Sequence, residues 1–404
     1  MFNNIRYSQN HHKNDGLSQL RTDKIQTIEE NTWNKISEKL MCGLSAQKIN
    51  EKFGINVNKL QAYIALCSSA TEPWPELDID KCIVVEDMET EVEGLVDYLD
   101  ESYTMTRRVM KVPIKHTDGV GIMLPRVSRK NKMIRGPWLK GLMASSDFLR
   151  FCKVHEVHPK LTDVWGQEHD LIEEDIEVIF FKSQFKLWNY YSSWQEYKDN
   201  FKRLGCCFNK TNEEEDYVKD TTLCYQFLQT LSHMADEEID EITKQPLERI
   251  QQLSSNADTM LEVLGADINS EIPYQKALAL YPELLREAYF KDVIKQTKTK
   301  WVLDGRSGKI KCENKRLFVI PDMYAVCEYL FLGDKNPKGL LENGEVACIR
   351  YRNKDEVDCL RSPSLYLEHA VRKVVKDPKI YQWFYTDAIS VSVHDLISKV
   401  LQFD

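Results

Sequence analysis

What most limits how this chain can fold is a change of hydrophobic period that recurs along it. From Lys24 to about Ser69 apolar residues return at helical spacing, with Ile28, Trp33, Ile36 and Leu40 as the first stripe. From about Asp78 to Lys186 short β-type runs take over, as in Cys82-Ile83-Val84-Val85 and Val109-Met110-Lys111-Val112-Pro113-Ile114. Between Tyr190 and about Trp301 the helical period is back, in the stripes Trp194, Tyr197, Phe201, Leu204 and Leu223, Phe227, Leu231, Met234. After Lys300 strand character resumes with Leu317-Phe318-Val319-Ile320-Pro321, the apolar run from Met323 to Leu332, and the partly alternating Glu345 to Arg352. Segregated helical and strand blocks predict an α+β fold. The expected divisions are a mobile tail at residues 1–22, a helical region at 23–72, a β domain at 73–189, a helical connector at 190–300 and a second β domain at 301–404.

No apolar run approaches the roughly 20 residues needed to span a bilayer as a helix, and the polar start lacks an apolar signal region. Residence in the cytoplasm is expected. The eleven cysteines are odd in number and irregular in spacing, which argues for reduced thiols. Adjacent Cys206 and Cys207 have poor geometry for one zinc and read as structural.

The formal charge is -9, yet its distribution matters more than its sum. Between Tyr103 and Ser146 stand Arg107, Arg108, Lys111, Lys115, Arg126, Arg129, Lys130, Lys132, Arg135 and Lys140, with Asp118 as the sole acid. Such a stretch would attract phosphates. Arg126, Arg129, Lys130, Lys132 and Arg135 are its candidate nucleic-acid contacts. Gly43 to Leu66 has the outline of a helix-turn-helix, with Ser45 as N-cap and Gly54 at the turn. Its second helix offers only Lys59 as a basic residue, which favours a packing role over base reading. A non-enzymatic DNA-binding regulator using residues 43–66 is the rival reading.

Four motifs carry the functional expectation. They are Thr117-Asp118-Gly119-Val120-Gly121, the Lys140-Gly141 pair closing Arg135-Gly136-Pro137-Trp138-Leu139, Lys182-Ser183-Gln184-Phe185-Lys186, and Arg361-Ser362-Pro363-Ser364-Leu365. In this order they resemble the two-barrel RNA polymerases: the cellular silencing-type RNA-dependent enzymes and especially the single-chain RNA polymerases of SP-beta-like bacteriophages. The resemblance covers roughly Lys59 to Asp404. It implies a double-psi β-barrel in the first β domain and an incomplete second double-psi β-barrel after the connector. It also implies template-directed addition of NTPs to an RNA 3′ end with Mg²⁺, on a DNA template in preference to RNA, in a bacterial host's cytoplasm.

By that resemblance Lys140 faces the active centre, and Lys182 and Lys186 bring positive charge to phosphates. Arg361 lies near the ribose of the incoming nucleotide, where a planar five-donor guanidinium suits a sugar or phosphate clamp. Leu360 and Tyr366 stand where the multisubunit enzymes have Asn and His, which weakens the carry-over to nucleotide selection. Asp404 falls where the first carboxylate of a metal-binding D-x-D-G-D loop begins. The expectation is therefore an N-terminal part, catalytically incomplete alone, with a second polypeptide or a missing C-terminal part supplying D-G-D. Asp118 reads as a turn residue. His155 and His158 read as a surface loop without a third metal ligand.

Overall fold

The computed structural model describes residues 71–218, 220–223, 227–228, 231, 233–311, 313–361 and 369–401. The helix-turn-helix-like segment at 43–66, Ser362 to Leu365 and Asp404 lie outside these. The fold is mixed α+β. The chain divides into two compact units. One runs through Glu215 and takes in Leu317–Asp358 and Val371–Asp404; the other comprises Asp216–Arg316 and Cys359–Ala370.

The first unit holds a seven-stranded sheet in the order β1 (Glu72–Pro73), β11 (Asn209–Glu213), β6 (Lys132–Arg135), β7 (Lys140–Ser145), β5 (Val120–Met123), β10 (Val178–Phe181), β2 (Cys82–Val85). β5 pairs with β7, and β10 with β2, in parallel; the other pairs are antiparallel. Every residue of β2, β5 and β10 is buried, as expected of strands covered on both faces. The period of two then sorts their side chains into two cores. Ile83, Val85, Ile122, Ile179 and Phe181 face one, with Phe148 and Phe151 of α1 (Phe148–Val154). Cys82, Val84, Met123, Val178 and Phe180 face the other, with Trp194, Tyr197 and Phe201 of α2 (Trp194–Arg203). The stripe read in α2 is thus real and covers this sheet. The sheet also draws on β11, beyond residue 189. Asn-Lys-Thr-Asn-Glu carries no apolar alternation by which a strand could be read.

A second sheet runs β12 (Val319–Pro321), β16 (Ile389–Val391), β13 (Glu345–Ala347), β15 (Ala370–Val374), β14 (Glu356–Cys359). The first core continues into it through Ile320 and Ala347. Among the described residues neither sheet closes on itself. Met323–Phe331, whose apolar run suggested a strand, is a helix, α7. The cause is Asp322, wholly buried, whose Oδ1 accepts from the Tyr324 and Ala325 amides at 3.0 and 3.1 Å. That is an N-cap, and it starts a helix whatever follows. Its Oδ2 accepts from the Leu340 and Leu341 amides at 2.6 and 3.0 Å, so one carboxylate also pins the returning loop.

Between β2 and β5 an antiparallel ribbon is formed by β3 (Glu89–Leu99) and β4 (Met105–Lys115). Asp100 Oδ1 organises its tip by accepting from the Ser102 and Thr104 amides, both at 2.9 Å.

The second unit is helical: α3 (Asp236–Gln252), α4 (Ala257–Leu264), α5 (Pro273–Leu280) and α6 (Ala288–Arg306). They enclose a small core of Leu253, Leu264, Leu278, Phe290 and Ile294. All seven cysteines among the described residues are free thiols, in line with the spacing argument. No described helix is long and apolar enough to cross a membrane.

Candidate active site

The Thr117–Gly121, Lys140-Gly141 and Lys182–Lys186 motifs lie far apart in the chain, and the fold brings them to one place. The ribbon enters β5 through a turn at 116–119, where Gly119 takes φ +72. Asp118 sits in that turn, its amide donating to Lys115 O at 3.3 Å, which agrees with a turn role. β7 starts at Lys140, and the Leu142 amide donates to Gly119 O at 2.8 Å. β10 ends at Phe181 and runs into a single 3₁₀ turn, Lys182–Gln184.

Gln184, 1% exposed, fills the space between these segments. Its Oε1 accepts from the Phe181 amide at 3.1 Å, and its Nε2 donates to Leu142 O at 3.3 Å. This explains two glycines. A Cβ on Gly121 would lie 2.6 Å from Gln184 Oε1. One on Gly141, at φ +148, would lie 2.3 Å from Gly119 O and 2.5 Å from Gln184 Nε2.

Asp87, which sequence reasoning missed, ties the rest. Its Oδ1 accepts from Ser183 Oγ at 2.6 Å and Thr117 Oγ1 at 3.0 Å, and its Oδ2 from the Ser183 amide at 2.9 Å. Ser183 Oγ in turn accepts from the Gly119 amide at 3.1 Å. Burial pushes the Asp87 carboxyl up, while the Ser183 and Thr117 hydroxyls pull it back. No spacing in the sequence links residues 87, 117 and 183.

This cluster sets the backbone from which the lysines project. Lys140 pairs with Arg135 across β6 and β7. Lys182 Nζ meets Glu86 at 2.8 and 3.1 Å and lies 4.3 Å from the centre of the Trp188 ring. Leu139 bridges to Phe185, and the Lys186 amide donates to Trp138 O at 3.0 Å, so the segments bearing Lys140 and Lys186 run side by side. Arg361 is partly buried and belongs to the second unit.

The basic stretch is less of a field than its sequence implied. Arg126 bonds Asp175 and Glu177 at 2.8 and 2.7 Å, and Lys132 pairs with Glu213. The ammonium groups of Lys132 and then Lys210 draw the Glu213 carboxyl down to about 2. Acids distant in sequence therefore neutralise two of the five candidate contacts, Arg126 and Lys132. Arg129 is exposed, and Lys130 and Arg135 are partly so.

The two histidines diverge: His155 Nε2 meets Tyr324 Oη at 2.8 Å, while His158 pairs with Asp170. Among the described residues no group of three His, Cys, Asp or Glu is placed to hold a metal ion. Asp404, the expected Mg²⁺ ligand, lies outside them.

A buried polar seam joins the two sheets of the first unit. The Asn131 side-chain amide donates to Glu214 Oε1 at 2.6 Å and Thr386 Oγ1 at 3.0 Å, and its Oδ1 accepts from the Ser145 amide at 2.8 Å. Arg350 pairs with Asp387 beside it. A satisfied network of this kind rigidifies what it joins.

His116 lies under the ribbon, wholly buried. Its Nε2 is 2.8 Å from Thr90 Oγ1, and its Nδ1 has no partner. Burial first, and then His394, lower its pKa to about 4. The unfolded chain takes up this proton near pH 6.5 while the folded one refuses it until about 4. Stability from this group is therefore complete above 6.5 and lost as pH falls toward 4, by on the order of 3 kcal/mol. Asp87 and Glu214, both raised by burial, act in the opposite sense at the acid end. Urea midpoints from pH 7 to 4.5 for wild type and His116→Gln isolate the histidine. The variant is expected to lose less stability on acidification, and parallel curves would refute the assignment.

No protein-family profile matches the chain. Over 390 residues, 96% of its length, it is 45% identical to the DNA-directed RNA polymerase YonO of Bacillus phage SPbeta. The match takes up 46% of that protein, so the chain spans just under half the length of this relative.

Proposed function

We infer that this chain, which belongs to the family of SP-beta-like phage RNA polymerases, takes part in template-directed RNA synthesis, adding NTPs to an RNA 3′ end. The single observation behind this is 45% identity running through 96% of the chain. A DNA template is favoured because the relative is named a DNA-directed enzyme. In this reading the two sheets of the first unit are the double-psi barrels: the first running from residue 73 through β11, the second opening after 301, with the helical unit in the role of connector. Lys140, Lys182 and Lys186 place positive charge where a triphosphate or an RNA end would sit. The cluster of Asp87, Ser183 and Gln184 fixes the strands that carry them. Arg361 would clamp the incoming nucleotide. Arg129, Lys130 and Arg135 would follow the nucleic-acid backbone.

Mg²⁺, when bound, would stabilise the charge on the transferring phosphoryl group. Its carboxylates are proposed to be Asp404 and acidic residues in sequence matching the rest of the relative, on this polypeptide or a second one. The working place is the host cytoplasm.

A chimaera tests this. The matched segment of the SPbeta enzyme is replaced by this chain, and RNA synthesis from NTPs is measured on DNA and on RNA templates. DNA-directed synthesis is expected. Lys140→Ala in the chimaera is expected to lower kcat by ~10²-fold or more, the usual loss when one charge-stabilising donor is removed from an active centre. A folded chimaera that makes no RNA, or one indifferent to Lys140→Ala, counts against the reading.

A further inference from the structure

A second concentration of positive charge lies in the helical unit, outside the basic stretch that the sequence singles out. Residues 291–316 hold nine Lys or Arg against three Asp or Glu. In α6, Phe290 and Ile294 are buried in the unit's core, with Val293 and Trp301 packed beside them. Turned away from that core, Lys291, Lys295 and Arg306 share one side of the helix, and Lys300 stands about half a turn round from Lys291; all four are exposed. None of these four forms an ion pair among the described residues, whereas Arg107, Lys111, Arg126 and Lys132 each meet a carboxylate. The nearby Asp292 is engaged instead by Gln296, whose Nε2 donates to it at 2.6 Å. A shallow groove along the helix is lined by Lys295, Lys300, Gln296 and Thr299, together with Asp292, Leu303 and Asp304.

Lys291 and Lys295, four residues apart and both exposed, repel one another, and Arg306 adds a third like charge on their side of the helix. They become favourable only against a polyanion. From Lys291 to Arg306 the face extends ~22 Å, enough to follow about six nucleotide steps at ~3.4 Å each. A side-chain amide such as that of Gln296 is an ordinary phosphate donor beside lysines.

We propose that the exposed face of α6 binds the phosphodiester backbone of nucleic acid, independent of base sequence. This rests on the reading that the chain handles nucleic acid, and deepens it by assigning the contact to the helical unit.

The test uses the full chain and the triple variant Lys291→Ala, Lys295→Ala, Lys300→Ala. Binding is followed by fluorescence anisotropy across a salt series. The probes are a labelled DNA duplex, its single strand, and an RNA–DNA hybrid of the same length. On the duplex, the slope of log K against log salt is expected to fall by about two to three, at ~0.9 for each phosphate that the variant no longer neutralises. Affinity near ~0.1 M salt is expected to drop at least tenfold on at least one probe. Which probes lose affinity says whether duplex, strand or hybrid lies on the helix. Lys244→Ala, exposed on α3, should leave the slope unchanged. The proposal is overturned if the triple variant keeps the wild-type slope and affinity on all three probes. All the substituted lysines are exposed, so folding is not at risk, and matching melting curves would verify that. RNA synthesis by the chimaera tests the broader reading separately: a chimaera active with an unchanged slope sinks this surface alone.

Discussion

Replacing Asp322 by alanine is expected to destabilise the first unit by ~4 kcal/mol or more. The carboxylate, wholly buried, accepts from four backbone amides. Two are the first amides of α7, and removing such a cap costs ~1 kcal/mol. The other two belong to Leu340 and Leu341, and each buried N–H left without a partner costs ~1–3 kcal/mol. Asp322→Asn separates the contributions. Its carbonyl oxygen can still cap the helix, but its NH₂ would face the Leu340 and Leu341 amides, donor against donor. About half the alanine loss is expected. Gly339 reflects the same packing: at φ +64, a Cβ there would stand 2.5 Å from Asp322 Oδ2. Trp383, whose ring lies 5.1 Å from that of Tyr324 in α7, provides the fluorescence signal for urea unfolding. A loss below ~1 kcal/mol in Asp322→Ala would mean that the carboxylate does not hold the loop.

The second large effect is expected from Gly141→Ala. Its φ of +148 is open essentially to glycine alone. The added methyl would also meet Gly119 O at 2.3 Å, a backbone atom fixed by the β5–β7 pairing. That backbone cannot swing aside as a side chain would, so the two central strands must part. A loss of ~4–5 kcal/mol is expected. In the chimaera, RNA synthesis should fail even though Lys140 is intact, because the strand presenting it has moved. Gly305→Ala is the matched control. It lies inside α6 with nothing within 4 Å of a new Cβ, and should be neutral or stabilising by up to ~1 kcal/mol. Thermal melts of the two variants decide the matter. Equal melting temperatures would show that the Gly119–Gly141 contact is not a constraint.

These residues also mark what could be read from the sequence and what could not. Cys82–Val85 and Val178–Phe181 were legible as strands because a buried parallel strand is one unbroken apolar run. The Trp194, Tyr197, Phe201 stripe was legible because an amphipathic helix declares its buried face. α7 was not, since a run that is apolar nearly all round has no period, and the polar signal that starts it, Asp322, precedes it. β11 was not, since its five residues are polar and its place comes from partners near residue 135. The segments holding Thr117, Gly119, Gly141 and Ser183 come together in the fold, but Asp87, which holds Thr117 and Ser183 together, has no local signature. A count of charge is blind in the same way. Counting charges within residues 103–146 cannot see Asp175, Glu177 and Glu213 arriving from elsewhere, nor that Lys291, Lys295 and Lys300 of α6 meet no such acid among the described residues.

The strand order of the first sheet also has a consequence for how the protein is made. β2 leaves the ribosome early and is complementary to β10, whose first residue is Val178 against Cys82; β6 waits similarly for β11. Until β10 emerges, Cys82–Val85 is a bare β-prone segment with no edge to join, and Val120–Met123 is paired on one side alone. Premature termination between residues 145 and 178 would leave them so permanently, and such products should be sticky and short-lived in the cell.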